Sequence, residues 1–165
     1  MATAPELLAS APEAMRAMRD ADIAEVVAIE RFSYQFPWSE GIFRDCLRVG
    51  YTCRVATLDR QVAGYGVMSV GAGEAHILNL CVGEAYRCRG LGRRLLTLLV
   101  ERAAAAGMKE AFLEVRPTNT AAIRLYLAHG FEQVGTRRGY YQAVGGREDA
   151  AVLRLGLRAP RARST

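Results

Sequence analysis

The sequence predicts a single mixed α/β domain in which helices pack on a central, largely antiparallel sheet. Strand-like segments rich in β-branched and apolar residues interchange along the chain with segments whose apolar residues recur at helical spacing. The chain of 165 residues is 51% hydrophobic, which is enough apolar material for one sizeable core. We find no internal repeat in the sequence and expect no second domain.

The first third of the chain predicts one strand and two helices. A candidate strand at residues 15–19 precedes a helix that Asp20 or Asp22 can cap, and Ser39 can cap a second helix. The residues of the second helix expected to face inward are Ile42, Phe43 and Leu47. The aromatic residues between the two helices are Phe32, Tyr34, Phe36 and Trp38. We expect these aromatic side chains mainly in the core, and a wall of a substrate site is the alternative.

Three strands, a helix and a fourth strand follow. The first three cover residues 51–58, 62–70 and 74–82 and are joined by short turns, which favours an antiparallel meander. The next helix has an apolar face formed by Leu95, Leu96, Leu99 and Ala103. Gly107 ends that helix, and residues 111–115 predict the next strand.

The last part of the chain predicts a helix and two strands. Thr118 or Asn119 can cap the helix, which ends at Gly130. Its inward residues are Ile123, Tyr126 and Leu127. Beyond Phe131, two strands are expected to flank a loop at residues 137–141 and 145–149, and residues 150–157 are expected to pair back into the sheet. The predicted order of elements is therefore βαα-βββ-αβ-αββ.

A glycine-punctuated, arginine-rich segment joins the third strand of the meander to the following helix. Gly90 and Gly92 remove side chains where the backbone can close around a ligand, and a helix start offers unpaired N–H groups and a positive dipole end. Arginine side chains that can bind phosphate oxygens surround this turn: Arg87, Arg89, Arg93 and Arg94. The segment predicts a phosphate-binding loop, although it lacks the third glycine of a dinucleotide fingerprint and the ending of a P-loop. The alternative is an ordinary loop before a solvated helix start.

Composition limits the kinds of partner. A formal net charge of +5 and a pI of about 9.3 permit contact with nucleic acid, a ribosome surface or a polyanionic cofactor. Much of the excess positive charge lies in the arginine-rich loop and in residues 158–165, which we expect to be a solvated basic tail, so nucleic-acid binding is not expected. Residues 1–14 have neither a basic start nor a long apolar run and are expected to be a flexible extension with no membrane anchor.

The four cysteines do not predict a metal site. They form no C-x-x-C pair and have too few accompanying histidines for zinc, so we expect free thiols, a reducing cytoplasmic environment and no metal. Cys88 stands apart because it lies among arginines at a helix start, where a thiol is more reactive. Its oxidation or alkylation is expected to block ligand binding at the loop.

Several sequence blocks resemble the GNAT superfamily of N-acetyltransferases over residues 15–157. The blocks are Leu78-Asn79-Leu80-Cys81-Val82, Arg87-x-x-Gly90-x-Gly92, Leu113-Glu114-Val115-Arg116-Pro117-Thr118-Asn119 and Ala122-Ile123-Arg124-Leu125-Tyr126. Finer features resemble the bacterial ribosomal-protein-alanine N-acetyltransferases within that superfamily. They are Phe36-Pro37-Trp38-Ser39, Glu114-Val115-Arg116, Arg138-Gly139-Tyr140-Tyr141 and Gly146-Arg147-Glu148-Asp149-Ala150.

The resemblance implies that two neighbouring parallel strands splay apart and that acetyl-CoA lies in the opening. On this chain these are the strand ending at Val82 and the strand at residues 111–115. The strand ending at Val82 would bond the pantetheine arm through its backbone, and the arginine-rich loop would hold the pyrophosphate. The residues implied for the cofactor are Leu80, Cys81, Val82, Arg87, Cys88, Arg89, Gly90, Leu91, Gly92, Arg93 and Asn119. Asn119 can equally serve as a helix cap.

The resemblance also implies two catalytic residues, with Glu114 as the base, acting through water, and Tyr126 as the acid that protonates the departing sulfur. The residues themselves are compatible with these roles. A glutamate within an otherwise apolar strand is costly to bury without a partner or a purpose. The alternatives are a carboxylate paired with Arg116 or another arginine for Glu114, and core packing for Tyr126.

The implied activity is acetylation of the N-terminal alanine of a small-subunit ribosomal protein by direct transfer, without an acetyl-cysteine intermediate. Candidate walls of the substrate site are Trp38, Tyr140 and Tyr141, which can equally be edge aromatics packed on the sheet. The alternatives are a GNAT enzyme that acetylates a lysine, a polyamine or an antibiotic amine, and a non-catalytic acyl-CoA sensor.

Overall fold

The structure, a computed structural model, describes residues 14–158, so nearly all of the predicted N-terminal extension and basic tail lie outside the described residues. The elements, in chain order, are β1 (Ala14–Ala17), α1 (Ile23–Ser33), α2 (Glu40–Arg48), β2 (Thr52–Leu58), β3 (Gln61–Gly71), β4 (Glu74–Val82), α3 (Leu91–Ala105), β5 (Glu110–Val115), α4 (Thr120–Ala128), β6 (Glu132–Ala143) and β7 (Gly146–Gly156). This order confirms the predicted order of elements. No helix among these residues is long and apolar enough to span a bilayer.

The strands form one sheet in the order β1-β2-β3-β4-β5-β7-β6, and β4 and β5 are its parallel neighbours. Their pairing begins at Glu74 opposite Glu110 and ends at Ile77 opposite Leu113. Both strands continue past that point, and Leu78 forms a bulge in the pairing of β4 with β3. Because a bulge bends a strand locally, β4 diverges from β5 there. The mixed, mostly antiparallel sheet with one splayed parallel pair is the predicted fold class, which is confirmed.

Helices cover both faces of the sheet. Strand alternation sends Val67 of β3 into a cluster with residues of α1 and α2, whereas its neighbour Met68 packs with Leu96 and Leu99 of α3. Tyr126 of α4 belongs to the same cluster as Met68, so α3 and α4 share one face. The opening between β4 and β5 therefore lies in a sheet that is covered by helices on both faces.

Helix starts follow the predicted chemistry only in part. The Ser39 hydroxyl accepts a hydrogen bond from the Ile42 amide at 3.3 Å, and the Asn119 side chain accepts one from the Ala122 amide at 3.2 Å, which confirms both caps. The prediction that Asp20 or Asp22 caps α1 is wrong. The Asp22 carboxylate instead binds Arg16 at 2.7 Å and accepts from the amide of Arg19, inside a short 3₁₀ turn that precedes α1.

Four residues predicted to face inward are exposed instead. Ile42 is 42% exposed because Phe43 and Cys46, three residues apart, define the buried face of α2. Leu127 of α4 is likewise exposed. Phe32 is 74% exposed and Phe36 is also exposed, so the prediction that the aromatic residues between the helices lie mainly in the core is wrong for both.

The predicted loop at residues 137–141 and 145–149 is wrong as well, because residues 137–141 belong to β6 and residues 146–149 begin β7, and the two strands form a long hairpin. The pairing is irregular between Arg137 and Tyr141, and Gly139 within this bulge has a φ of +59°. Clustered arginine, glycine and tyrosine residues do not alternate, so their sequence hides a strand that its partner β7 stabilises.

Candidate active site

A cavity of about 490 Å³ occupies the opening between β4 and β5. Its floor is formed by residues at and beyond the last paired positions, among them Leu80 and Glu114. The segment between α1 and α2 closes one side, and the hairpin of β6 and β7 closes another through Tyr141 and Val144. The cavity therefore exists because a parallel pair stops pairing before its strands end.

Glu114 lies on β5 immediately after Leu113, the last residue paired with β4, and its side chain lines the cavity. The carboxylate is 13% exposed and its Oε1 lies 3.1 Å from Nε of Arg137 on β6. Arg116 takes a different carboxylate, that of Glu148 at 2.9 Å. Glu114 is thus ion-paired, as one alternative predicted, and faces the opening, as the resemblance implied.

Tyr126 of α4 is 7% exposed, lines the same cavity, and meets the Phe131 ring edge-on at a centroid distance of 5.9 Å. Core packing and access to the cavity therefore coexist for this residue. Burial, reinforced by the nearby Cys81 thiol, raises the pKa of the Tyr126 phenol above its ordinary value. Tyr126 consequently keeps its proton throughout the physiological pH range.

The unpaired end of β4 turns two carbonyl groups toward the opening. The Tyr34 hydroxyl donates to the Leu80 carbonyl at 3.3 Å, and Nε of Arg87 donates to the Val82 carbonyl at 3.1 Å. Since backbone groups alternate along a strand, those of Cys81 point toward Tyr65 on β3. The Cys81 side chain is buried. Leu80 and Val82 are therefore better placed than Cys81 to bond a ligand through the backbone.

The arginine-rich loop ends in Gly90, which precedes α3 with a φ of +78°. Cys88 also has a positive φ, of +62°, and consecutive residues of alternating handedness form concave anion-binding backbone. The first amides of α3, on Leu91, Gly92 and Arg93, have no acceptor within the helix. The side chains of Arg87, Arg89 and Arg93 are exposed around this helix start. The loop therefore fits a phosphate group, while its roles in binding remain predictions.

The remaining predicted site residues divide between the cavity and its rim. Asn119 lines the cavity and caps α4, so the cap is confirmed and the bond to the cofactor stays a prediction. Trp38 and Tyr141 line the cavity, and the Arg116 guanidinium lies 4.3 Å from the centre of the Tyr141 ring. Tyr140 is exposed and packs edge-on against Tyr141 at 4.8 Å, outside the cavity lining. Tyr140 thus supports a wall more than it forms one.

Sequence reasoning missed Glu30, which is 2% exposed and lines the cavity. Its carboxylate accepts hydrogen bonds from the Tyr65 hydroxyl, from the Asn79 side-chain amide at 3.0 Å and from the Trp38 backbone amide at 3.0 Å. The sequence contained one signal for Glu30, its position on the buried face of a helix. Glu30 continues the buried face of α1 formed by Ile23, Val26 and Val27, where an apolar residue is normal.

Glu148 of β7 was also missed as a cavity residue. Its carboxylate connects two other residues that line the cavity, Arg116 and Thr118. It binds Arg116 and accepts a hydrogen bond from the Thr118 hydroxyl at 2.8 Å, and these contacts hold the pKa of the half-buried Glu148 carboxyl below its usual value. Within residues 14–158, no group of three histidine, cysteine or acidic side chains is arranged to hold a metal ion.

Known proteins are similar to this chain in sequence and in fold. Residues 14–131 match the acetyltransferase (GNAT) family. The ribosomal protein bS18-alanine N-acetyltransferase of Escherichia coli strain K12 is 35% identical over 136 residues, which cover 82% of this chain and 92% of that relative. The corresponding protein of Haemophilus ducreyi is 31% identical over 137 residues, covering 82% and 94% of the two chains. The crystal structure of the ribosomal-protein-S18-alanine N-acetyltransferase from Escherichia coli has a TM-score of 0.82 and 31% identity, covering 93% of this chain and 99% of that structure.

Proposed function

Because this chain belongs to the acetyltransferase (GNAT) family, we propose that it moves the acetyl group of acetyl-CoA onto the α-amino group of an N-terminal alanine, on a small-subunit ribosomal protein in the cytoplasm. The names of its relatives support this substrate. The observation that carries the proposal is that Glu114 and Tyr126 line one cavity at the point where β4 leaves β5. A carboxylate and a protonated phenol are the base and the acid that amine acylation by a thioester needs.

Acetyl-CoA, when bound, supplies an acetyl group activated as a thioester. The pyrophosphate would be held by the amides at the start of α3, with Arg87, Arg89 and Arg93 adding charge-assisted hydrogen bonds. The backbone of Leu80 and Val82 would bond the pantetheine arm as an added strand does. The Tyr34 hydroxyl and the Arg87 guanidinium already donate hydrogen bonds to these two carbonyls. When the ligand binds, each of these side chains would either share its carbonyl with the ligand or rotate away from it.

Glu114 removes the proton that makes the amine unreactive. The ammonium gives one proton to the Glu114 carboxylate, through water, and the neutral nitrogen then attacks the thioester carbonyl. A C–N bond forms as the C–S bond breaks, and the Tyr126 hydroxyl gives its proton to the departing sulfur. The attacking nitrogen still carries one proton more than an amide holds, and this proton passes to the Tyr126 oxygen, which restores the phenol. Glu114 then releases its own proton to solvent. Direct transfer of this kind needs no cysteine nucleophile, and no cysteine is among the described residues that line the cavity.

The basicity of the amine favours an N-terminus over a lysine. An α-amino group with a pKa of about 7.7–8.0 is roughly a tenth to a sixth neutral at pH 7, whereas a lysine side chain is neutral only about four times in ten thousand. A carboxylate of ordinary strength is therefore sufficient for the α-amine. Trp38 and Tyr141 would exclude large first side chains from the cavity, with Tyr140 supporting Tyr141 from outside.

The test is thiol release from acetyl-CoA with peptides that begin with Ala, Ser, Met or acetyl-Ala. Turnover of the alanine peptide and none of the blocked peptide is the expected result. If free lysine, a polyamine or an aminoglycoside reacts faster than the alanine peptide, the proposed substrate is wrong and another amine takes its place. If acetyl-CoA binds and no amine reacts, the chain is an acyl-CoA sensor.

A further inference from the structure

Glu30 is a buried carboxylate that the proposed chemistry does not use. All three of its donors are uncharged: the Tyr65 hydroxyl, the Asn79 side-chain amide and the Trp38 backbone amide. A buried carboxylate is costly unless its oxygens are hydrogen-bonded, and here both oxygens accept, Oε1 from one donor and Oε2 from two. Such an arrangement is expensive for stability alone, because apolar residues of similar size would fill the same space at lower cost.

The donors to Glu30 come from the parts of the molecule that shape the cavity. Trp38 lies in the segment between α1 and α2, and its indole lines the cavity while packing against Phe43 at 5.3 Å. Asn79 lies on β4 directly after the bulge at Leu78, where β4 leaves β5. Glu30 therefore joins the aromatic wall to the strand that opens the cavity.

Few other hydrogen bonds hold the segment between α1 and α2 that carries Trp38. Tyr34 donates its amide to the Glu30 backbone carbonyl at 3.1 Å, and Ser39 begins α2. Between these two points Gln35, Phe36 and Pro37 are exposed. The hydrogen bond from the Trp38 amide to Oε1 of Glu30 therefore fixes this segment between its two ends.

We propose that Glu30 is a positioning residue that holds Trp38 as a fixed wall and so limits the first residue of the acceptor to a small side chain. This inference rests on the proposed acceptor, an N-terminal alanine. All three hydrogen bonds of Glu30 go to groups of the protein, with the Trp38 amide on Oε1 and the Tyr65 hydroxyl and Asn79 amide on Oε2. Its effect is therefore expected on selectivity and on the Trp38 environment, while proton transfer by Glu114 and Tyr126 continues.

The experiment uses the full chain with Glu30→Ala and Glu30→Gln. In Glu30→Ala all three donors lose their acceptor. Glu30→Gln keeps the size of the side chain but replaces one acceptor oxygen with a donor, so at least one of the three donors faces another donor. If Glu30→Ala does not fold, Glu30→Gln carries the test.

The matched control is Glu25→Gln on the same helix. The Glu25 carboxylate also accepts a hydrogen bond, from the Val62 amide at 2.9 Å, and it is outside the cavity lining. Glu25 is exposed and attaches α1 to β3 through this hydrogen bond, so its substitution reports the effect of loosening α1 away from the cavity. A role in the wall affects Glu30 alone.

Three quantities are measured. Trp38 is the only tryptophan of the chain, so the emission maximum and acrylamide quenching report on the wall directly. The ratio of kcat/KM for peptides starting with Ala and with Met reports selectivity, and KM for acetyl-CoA reports the other end of the site. We expect red-shifted, more quenchable emission in the Glu30 variants. We expect the selectivity ratio to fall by about tenfold, which corresponds to about 1.4 kcal/mol. KM for acetyl-CoA and all three quantities in Glu25→Gln should stay within about twofold of wild type.

Folded Glu30 variants with unchanged emission and unchanged selectivity would overturn the inference. So would an equal loss of selectivity in Glu25→Gln. Failure of the proposed function is distinguishable, because it is seen in the wild-type protein as no turnover of the alanine peptide. In that case the emission of the Glu30 variants still decides whether Glu30 holds Trp38, and unchanged emission overturns the inference.

Discussion

Oε1 of Glu114 lies 3.1 Å from Nε of Arg137, which joins the end of β5 to β6, an edge strand of the sheet. Most of the Glu114 side chain is buried, whereas the Arg137 side chain is 56% exposed. An ion pair with one exposed partner contributes little to stability and is easily exchanged for another cation. Displacement of Arg137 would therefore give the water of the proposed mechanism access to Glu114.

This pair predicts opposite results for its two members. Glu114→Gln should lower kcat by about a hundredfold, because the base is lost while the shape of the site is kept. Arg137→Gln should change kcat/KM by less than about threefold, because the exposed arginine only screens the carboxylate. Thiol release with the alanine peptide measures both. A large loss in Arg137→Gln with normal activity in Glu114→Gln would show that the roles are misassigned.

Tyr126→Phe removes the proposed acid and keeps the ring that packs against Phe131. We expect kcat to fall by about a hundredfold or more with an unchanged free energy of unfolding, because only the hydroxyl is removed.

Burial raises the pKa of Tyr126 above 10.0, so the wild-type rate should show no alkaline decline from this residue below pH 10. A pH–rate profile from pH 6 to 10 measures this. A decline near pH 8 that Tyr126→Phe abolishes would contradict the assignment.

Gly64 of β3 supports the open part of β4 from behind. A Cβ atom at this position would lie 2.9 Å from the Cys81 carbonyl oxygen and 3.2 Å from a methyl of Leu95. Gly64→Ala should therefore lower the free energy of unfolding by about 1–3 kcal/mol and raise KM for acetyl-CoA, because β4 must shift. Gly71→Ala, where a Cβ meets nothing within 4 Å, is the control for chemical denaturation and kinetics. Equal free energies of unfolding for the two variants would show that β4 can shift without loss of stability.

Tyr65 should make the protein less stable in alkali. Burial first, then the Cys81 thiol and Glu30, raise the pKa of Tyr65 far above the ordinary value of 10.0 that it has when unfolded. The native state then keeps a proton that the unfolded chain loses. The stabilisation is complete below pH 10 and is lost as pH rises beyond it, by about 1.4 kcal/mol per pH unit.

Urea unfolding between pH 8 and 11.5 measures this loss, and Tyr65→Phe is the comparison. The variant should show a shallower decline above pH 10, because one of the titrating groups is absent. Identical slopes for the two proteins would mean that Tyr65 ionises in the folded state without cost.

The sequence predicted local chemistry well. The caps Ser39 and Asn119 and the stop at Gly107 each depend on side-chain chemistry within a few residues, which is visible in the sequence itself. The order of strands and helices followed from apolar periodicity. The blocks around Arg87 and Glu114 were specific enough to predict the family, which the match over residues 14–131 confirms.

Prediction was weaker where one segment depends on another. Residues 137–141 form a strand only because β7 offers hydrogen-bond partners, and Asp22 binds Arg16 from β1 instead of capping its own helix. In both cases a distant partner outcompetes the local preference.

The sequence by itself determined the fold class, the elements and the family of this protein, because each is carried by short-range patterns of apolar spacing, capping and motif. Tertiary structure alone decided that Arg137 pairs with Glu114, that Trp38 is a wall of the cavity, and that Glu30 anchors this wall. These contacts join residues that are far apart in the chain. Many partners compatible in charge and size are present in the sequence, and only the packed sheet brings one particular set together.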